Sequence, residues 1–385
     1  MSSRRVFASV LAFLVAAGWA ANHFASVIVL LREELNLSAL LVNGAYGIYA
    51  LGLLPSLLVG GVLADRFGGR PVVITGSTIA LLGNLALMMF HGPAGLLVGR
   101  LVVGLGVGLV VSPGTAWAAR LRGAGGATVA GIALTSGFAI GPVVSGAVAT
   151  FSAPIWLPFA LSIAASIAAI AFSATTGDLP LGATGVQEGA PTPLEPGASP
   201  GKALATAVPV AMWVFAAIIS SVVVLASRVS GYFSTGVFLP GVAAVCGFGT
   251  GMIVQALGRA YNWGPLSGVI GIVLATGGFL LVAAGGQEPS LLLFFVATVL
   301  LGGAYGLCLR DGLLDVNAYS PPAYRGRVLG AYYAATYIGF GLPPLLESIE
   351  PYTGPTLPYF VLAGGAAAAA LLRTWQIRSG YLARA

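Results

Sequence analysis

Twelve apolar runs, each long enough to cross a lipid bilayer, constrain this chain more than any other feature of it. They fall at about 6–31, 39–63, 70–90, 94–117, 125–150, 155–173, 203–227, 233–257, 265–284, 291–309, 328–347 and 357–373. A helix of about 20 residues spans a ~30 Å hydrocarbon core, and lipid offers the backbone no hydrogen bonds, so each run is expected to be a helix. Charged residues are 7% of the chain and hydrophobic ones 58%, with a mean hydropathy of +0.96. The sequence therefore reads as an all-α membrane protein. Its first run follows Arg4 and Arg5, as a secretory signal would, but continues to Leu31. A signal core is roughly 7 to 15 residues, so this run is expected to remain as a span.

Between the sixth and seventh runs lies SATTGDLPLGATGVQEGAPTPLEPGASPGK, Ser173 to Lys202, rich in Pro, Gly, Thr and Ser and free of apolar runs. Such a composition predicts a flexible linker. The expected organisation is an N-terminal six-helix bundle over 1–173, a cytoplasmic linker over 174–202 and a C-terminal six-helix bundle over 203–385. The cytoplasmic turns of the halves echo each other, RLRGAGGATVAG after the fourth run against YRGRVLGAYYA before the eleventh. A single repeat of six helices suits a duplicated, pseudo-symmetric bundle better than an array of short repeats.

Charge fixes the expected orientation. With the N-terminus in the cytoplasm, every Lys and Arg other than Arg32, Arg100 and Arg228 falls in a cytoplasmic segment. This is the positive-inside pattern, and it predicts that both termini are cytoplasmic. The net charge of +6 is scattered along the chain, which argues against a nucleic-acid face. Cys246 and Cys308 lie singly in apolar runs, and His23 and His91 have no metal-ligand spacing. There is no G-x-x-x-x-G-K-[ST] loop for a nucleotide. Neither a cofactor nor a metal is expected, and an enzyme would need a constellation this sequence lacks.

Three charged or small-residue motifs interrupt the apolar pattern. GVLADRFGGRP, residues 61–71, sets Asp65, Arg66 and Arg70 between two runs, with Gly61 and Gly68 permitting tight bends. GRLVVGLGVGLV, residues 99–110, puts Arg100 inside an apolar stretch, where a charge is costly and functional by default. Gly104 and Gly108 follow Arg100 at intervals of four, so another backbone can approach that face. GFAIGPVVSGAV, residues 137–148, aligns Gly137, Gly141 and Ser145, with Pro142 removing a backbone donor and Gly146 beside them.

The first of these motifs, with six plus six spans and a central loop, resembles the signature between the second and third helices of the major facilitator superfamily. The resemblance covers the whole chain and implies the fold of that superfamily, a transporter activity, and a conformational latch formed by Gly61, Asp65, Arg66, Gly68 and Arg70. It also implies that Asp65 lies near the positive N-terminal end of the eleventh helix. The 99–110 stretch is similar to the family's helix 4 pattern, associated with proton coupling or recognition of substrate charge. A guanidinium snorkelling to the outer headgroups is the alternative for Arg100. The 137–148 stretch is similar to the helix 5 motif of drug:proton antiporters, involving Gly137, Gly141, Pro142 and Gly146.

One departure cuts against that last likeness. Antiporters of this type commonly carry a carboxylate inside helix 1, 2 or 4, whereas every acid here is assigned to a loop or a helix end. The first span offers Asn22 and His23 instead, and His23 is open to two readings, a proton carrier or a neutral hydrogen-bonding residue. Glu347 is a second candidate at an outer end. Polar and aromatic residues within spans mark the expected pathway: Asn22, His23, Asn43, Tyr46, Arg100, Trp213, Tyr305, Tyr333 and Tyr337. Spans 3, 6, 9 and 12 are expected to face lipid, a division that Asn84 in the third does not fit.

The leading expectation is a secondary transporter of a small organic compound by alternating access, exchanging it for protons in the manner of multidrug exporters. Its rival is an importer or uniporter of a small anionic or neutral metabolite that uses Arg100 for the substrate charge. A receptor or lipid-binding scaffold without flux is the alternative from another class. The expected partners are a small-molecule substrate, protons and membrane lipids, with no nucleic acid. The expected setting is a monomer in the bacterial cytoplasmic membrane.

Overall fold

The computed structural model describes residues 3–151, 154–176, 195, 197–234, 236–321 and 324–384. Most of the linker expected at 174–202 lies outside the described residues. By contacts the chain divides into two compact units, Met1–Thr192 and Pro193–Ala385. Among the described residues every regular element is helical.

In the first unit, α1 (Ser3–Asn22) and α2 (Phe24–Leu35) form one span with a break at His23. They are followed by α3 (Ala39–Phe67), α4 (Gly69–Met89), α5 (Pro93–Thr150) and α6 (Leu157–Ala174). Although helical geometry continues through all 58 residues of α5, the chain reverses within it. A Cβ placed on Gly126 would lie 2.2 Å from the Ala118 carbonyl oxygen, whereas eight residues of straight helix would separate the two by about 12 Å. The two arms, Pro93–Arg122 and Gly125–Thr150, are separate candidate spans. Between α3 and α4 the chain turns at Gly68, with φ +86°, and Arg70 then donates to the Ser173 carbonyl (2.8 Å) and hydroxyl (3.3 Å) at the end of α6.

The first helix of the second unit, α7 (Pro200–Ile219), is capped by Ser199, whose side chain accepts the Lys202 N–H. A π-turn over Ser220–Leu225 and α8 (Ala226–Val229) complete that span. Then come α9 (Leu239–Ala260), α10 (Leu266–Gly285), α11 (Leu291–Tyr319), α12 (Arg325–Tyr337), α13 (Leu342–Thr353) and α14 (Leu357–Arg378).

Two expectations are corrected here. The eleventh run is not one helix: a 3-10 turn over Ile338–Gly341 divides α12 from α13. Pro343 and Pro344 have no N–H for the carbonyls of residues 339 and 340, so the helical hydrogen-bond ladder lapses there and both prolines lie in the first turn of α13. The tenth run, expected to end at 309, continues as helix to Tyr319 and carries Asp311 and Asp315 with it, both fully buried. The expectation that every acid lies in a loop or at a helix end is therefore overturned.

Candidate functional site

In the first unit the backbone of α1 approaches the second arm of α5 to glycine contact. A Cβ on Gly137 would stand 2.2 Å from the Val15 carbonyl, and one on Gly18 would stand 2.3 Å from that of Leu134. This closeness lets short polar side chains bridge the helices. Asn22 donates from Nδ2 to the Phe138 carbonyl (2.8 Å), and Ser26, one turn on, donates to the Pro142 carbonyl (2.8 Å). The Oδ1 of Asn22 accepts the hydroxyl of Tyr46 from α3 (2.9 Å).

Arg100 is fully buried beside this bridge. Its Nη2 donates to the Ala21 carbonyl (3.2 Å), just before the break in the first span, and its Nε donates to the Ala45 carbonyl of α3 (3.3 Å). The guanidinium carbon lies 4.7 Å from the ring centre of Phe24, 4.6 Å from Tyr49 and 5.7 Å from Tyr46. Negative ring faces stabilise a desolvated cation. Nη1 has no hydrogen-bond partner, and none of the described acids forms an ion pair with Arg100. Buried charges are ordinarily paired with an opposite charge, so this one has spare donor capacity for an anion.

His23, also fully buried, pairs through Nε2 with Asn84 Oδ1 (2.9 Å) while Asn84 donates back to the Ala80 carbonyl (3.2 Å). That pairing accounts for an Asn on α4, the third span. The imidazole stands edge-on to Phe159 of α6 at 5.5 Å, and His91 meets the same ring at 6.0 Å. Burial lowers the His91 basicity from its ordinary value and favours the neutral ring. No group of three potential metal ligands occurs among the described residues.

Of the residues expected to share a pathway, Asn22, Tyr46 and Arg100 are thus brought together, with His23 directly next to Asn22. In the second unit Phe215 joins two others, stacking on Tyr337 at 4.5 Å and tilting against Tyr305 at 5.9 Å. Trp213 stands apart from that cluster, against Phe279 of α10. Tyr333 packs on Tyr332, and Asn43 is half-buried. Of the motif at 61–71, Arg66 is exposed over the ring of Phe67 at 5.2 Å, while the Asp65 side chain lies outside the described residues.

A second charged constellation went unread in the sequence. Asp311 and Asp315, one turn apart on α11, both pair with Arg373 of α14 and with Arg384 beyond it. Arg373 also donates to the Thr206 carbonyl of α7 (2.7 Å), and Ser267 of α10 to Asp311 (3.0 Å). The segment after α14 is folded under the bundle: Leu382 is buried among Ala203, Val316 and Val328, and the Ala383 N–H donates to the Tyr319 hydroxyl (2.9 Å). The i, i+4 spacing of the two acids was the available signal.

Long apolar helices in two all-helical units define a multi-pass integral membrane protein. Residues 8–344 match the family model of the Major Facilitator Superfamily, and the chain belongs to that superfamily, whose members transport and are not enzymes. Over 78 residues it is 32% identical to "Multidrug resistance protein MdtL" of Klebsiella pneumoniae (strain 342), and equally so to that of Escherichia coli O45:K1 (strain S88 / ExPEC). The match covers 20% of this chain and 20% of each relative. Among solved structures, a POT family transporter in complex with 5-aminolevulinic acid superposes with a TM-score of 0.74 at 12% identity, covering 95% of both chains. The nucleoside transporter NupG gives 0.70 at 15% identity, covering 98% of this chain and 99% of that one. These structural likenesses establish the fold.

Proposed function

We propose that the protein is an alternating-access secondary transporter of a small organic compound bearing a carboxylate or similar anionic group, recognised by Arg100. The observation that carries this reading is a buried guanidinium with aromatic faces around it, an Nη1 without a partner and no described acid paired to it. Desolvation makes such a cation expensive in the empty protein, and an anion offering two oxygens to its planar fork offsets that cost. Tyr46 and Tyr49 complete the recognition surface in the N-terminal half, with Asn22 behind Tyr46. The wider frame is a six-helix bundle over 1–173, a cytoplasmic linker over 174–202 and a second bundle over 203–385. Residues Gly61, Asp65, Arg66, Gly68 and Arg70 form its cytoplasmic latch, and both termini are cytoplasmic in a bacterial inner membrane.

Drug export by proton exchange is the second reading. The helix 5 motif around Gly141 and Pro142 favours it, as does the short similarity to MdtL, while none of the described carboxylates pairs with Arg100 to carry the proton.

The test is a thermal-shift screen of the purified protein against small carboxylates, lipophilic cations and neutral metabolites, followed by flux in proteoliposomes. A ligand present at 100 times its Kd adds about 2.7 kcal/mol of apparent stability. Shifts confined to anions, lost in Arg100→Ala and weakened at least tenfold in Arg100→Lys, are expected. Shifts from cations that survive Arg100→Ala would replace this reading with the exporter.

A further inference from the structure

The distinctive feature of the Arg100 site is that its geometry is set from outside it. In an α-helix the Phe138 carbonyl takes the N–H of residue 142, and residue 142 is a proline, which has none. Asn22 supplies a donor to that carbonyl instead, at 2.8 Å. Once Nδ2 is committed there, the planar amide has one way to point its oxygen, and that Oδ1 accepts the Tyr46 hydroxyl at 2.9 Å. The Tyr46 ring so held is one of the three faces around the Arg100 guanidinium, and Ala45, its neighbour in α3, supplies the carbonyl that takes Arg100 Nε.

A parallel pair of contacts fixes the register. Asn22 and Ser26 are one helical turn apart, as are Phe138 and Pro142, and both bonds join residues 116 positions apart. A slip of the first span, α1 and α2 together, along α5 by one residue would break both. All of these side chains are buried, so water cannot replace a lost partner without entering the core.

We infer that Pro142 and Asn22 are positioning residues for the Arg100 site: the proline opens the Phe138 carbonyl to Asn22, and Asn22 in turn orients Tyr46 against the guanidinium. This rests on the reading of Arg100 as the recognition group, but the chain of contacts has a readout that needs no substrate. Pro142→Ala restores a helical N–H to Phe138, which then competes with Asn22 for its carbonyl. Disturbing either end of the chain should move Arg100 in the same way.

The experiment uses full-length protein labelled with 15N-arginine in detergent micelles, where the buried Nε–H of Arg100 is assigned by its loss in Arg100→Lys. Asn22→Ala, Tyr46→Phe and Pro142→Ala are each expected to shift that resonance, and Asn22→Ala combined with Pro142→Ala to shift it no further than the larger single change. Pro113→Ala, in the other arm of α5, should leave it in place. Losses in Tm should show the same non-additivity, since coupled residues fail to add and distant ones succeed. If Asn22→Ala does not fold, Tyr46→Phe and Pro142→Ala carry the comparison. An Arg100 resonance unmoved by Pro142→Ala, or shifts that sum in the double variant, would overturn the inference. Flux that survives Arg100→Ala while the resonances behave as expected would refute the transport role of Arg100 and leave the positioning chain standing.

Discussion

At the scale of single residues, the first unit is organised by what it excludes. A Cβ on Gly104 would lie 2.1 Å from the Tyr49 carbonyl oxygen, a backbone atom that cannot swing aside. Gly104→Ala is therefore expected to push α3 from α5 and to cost about 1–3 kcal/mol as overpacking. Gly44→Ala in the same bundle meets nothing within 4 Å and should be neutral or stabilising by up to about 1 kcal/mol, from helix propensity alone. Thermal unfolding of the two variants compares them directly; similar Tm values would remove the close approach from the account. Arg100 was legible in the sequence because a charge in an apolar run has so few explanations. Asn84 was not, because its reason is His23, 61 residues away, and sequence carries no trace of a pair across two helices.

At the scale of elements, the apolar runs announced the helices but not their interruptions. His23 divides the first span, a π-turn at Ser220–Leu225 distorts the seventh and a 3-10 turn divides the eleventh. The last has a local sequence cause, the paired prolines, while at the first the Ala21 carbonyl is taken by Arg100. The tenth span shows the opposite error. Hydropathy ends the run where charge begins, yet the helix continues through Asp311 and Asp315 because Arg373 and Arg384 neutralise them at full burial. Breaking a buried ion pair from one side leaves an uncompensated charge and typically costs about 3–5 kcal/mol. Asp311→Ala is expected to lower stability by that order, and Asp311→Ala combined with Arg373→Met by less than the two singles sum. Chemical denaturation of the intact protein, followed by its tryptophan fluorescence, would decide it; simple additivity would mean that the four charges do not act as a set.

For the whole molecule, the distribution of Lys and Arg predicts a topology that is directly accessible. Single cysteines at residue 2 and at residue 354, in a background lacking Cys246 and Cys308, should label oppositely with a membrane-impermeant maleimide: the first only after permeabilisation, the second in intact cells. Labelling of the first in intact cells would invert the orientation. Family and span number were readable from the 61–71 motif and the periodic hydropathy, since both depend on the membrane rather than on tertiary detail. The four-charge set was not, since its members lie in three separate stretches: the two arginines passed for topogenic charges and the two acids for residues of a loop or helix end. Its position has a practical consequence. Arg384 is engaged with both buried aspartates, and so a fusion or cleavage site engineered next to it would pull on an anchor inside the second unit. A fusion at that point that lowers yield or activity should be suspected of having loosened the anchor before any effect on expression is blamed.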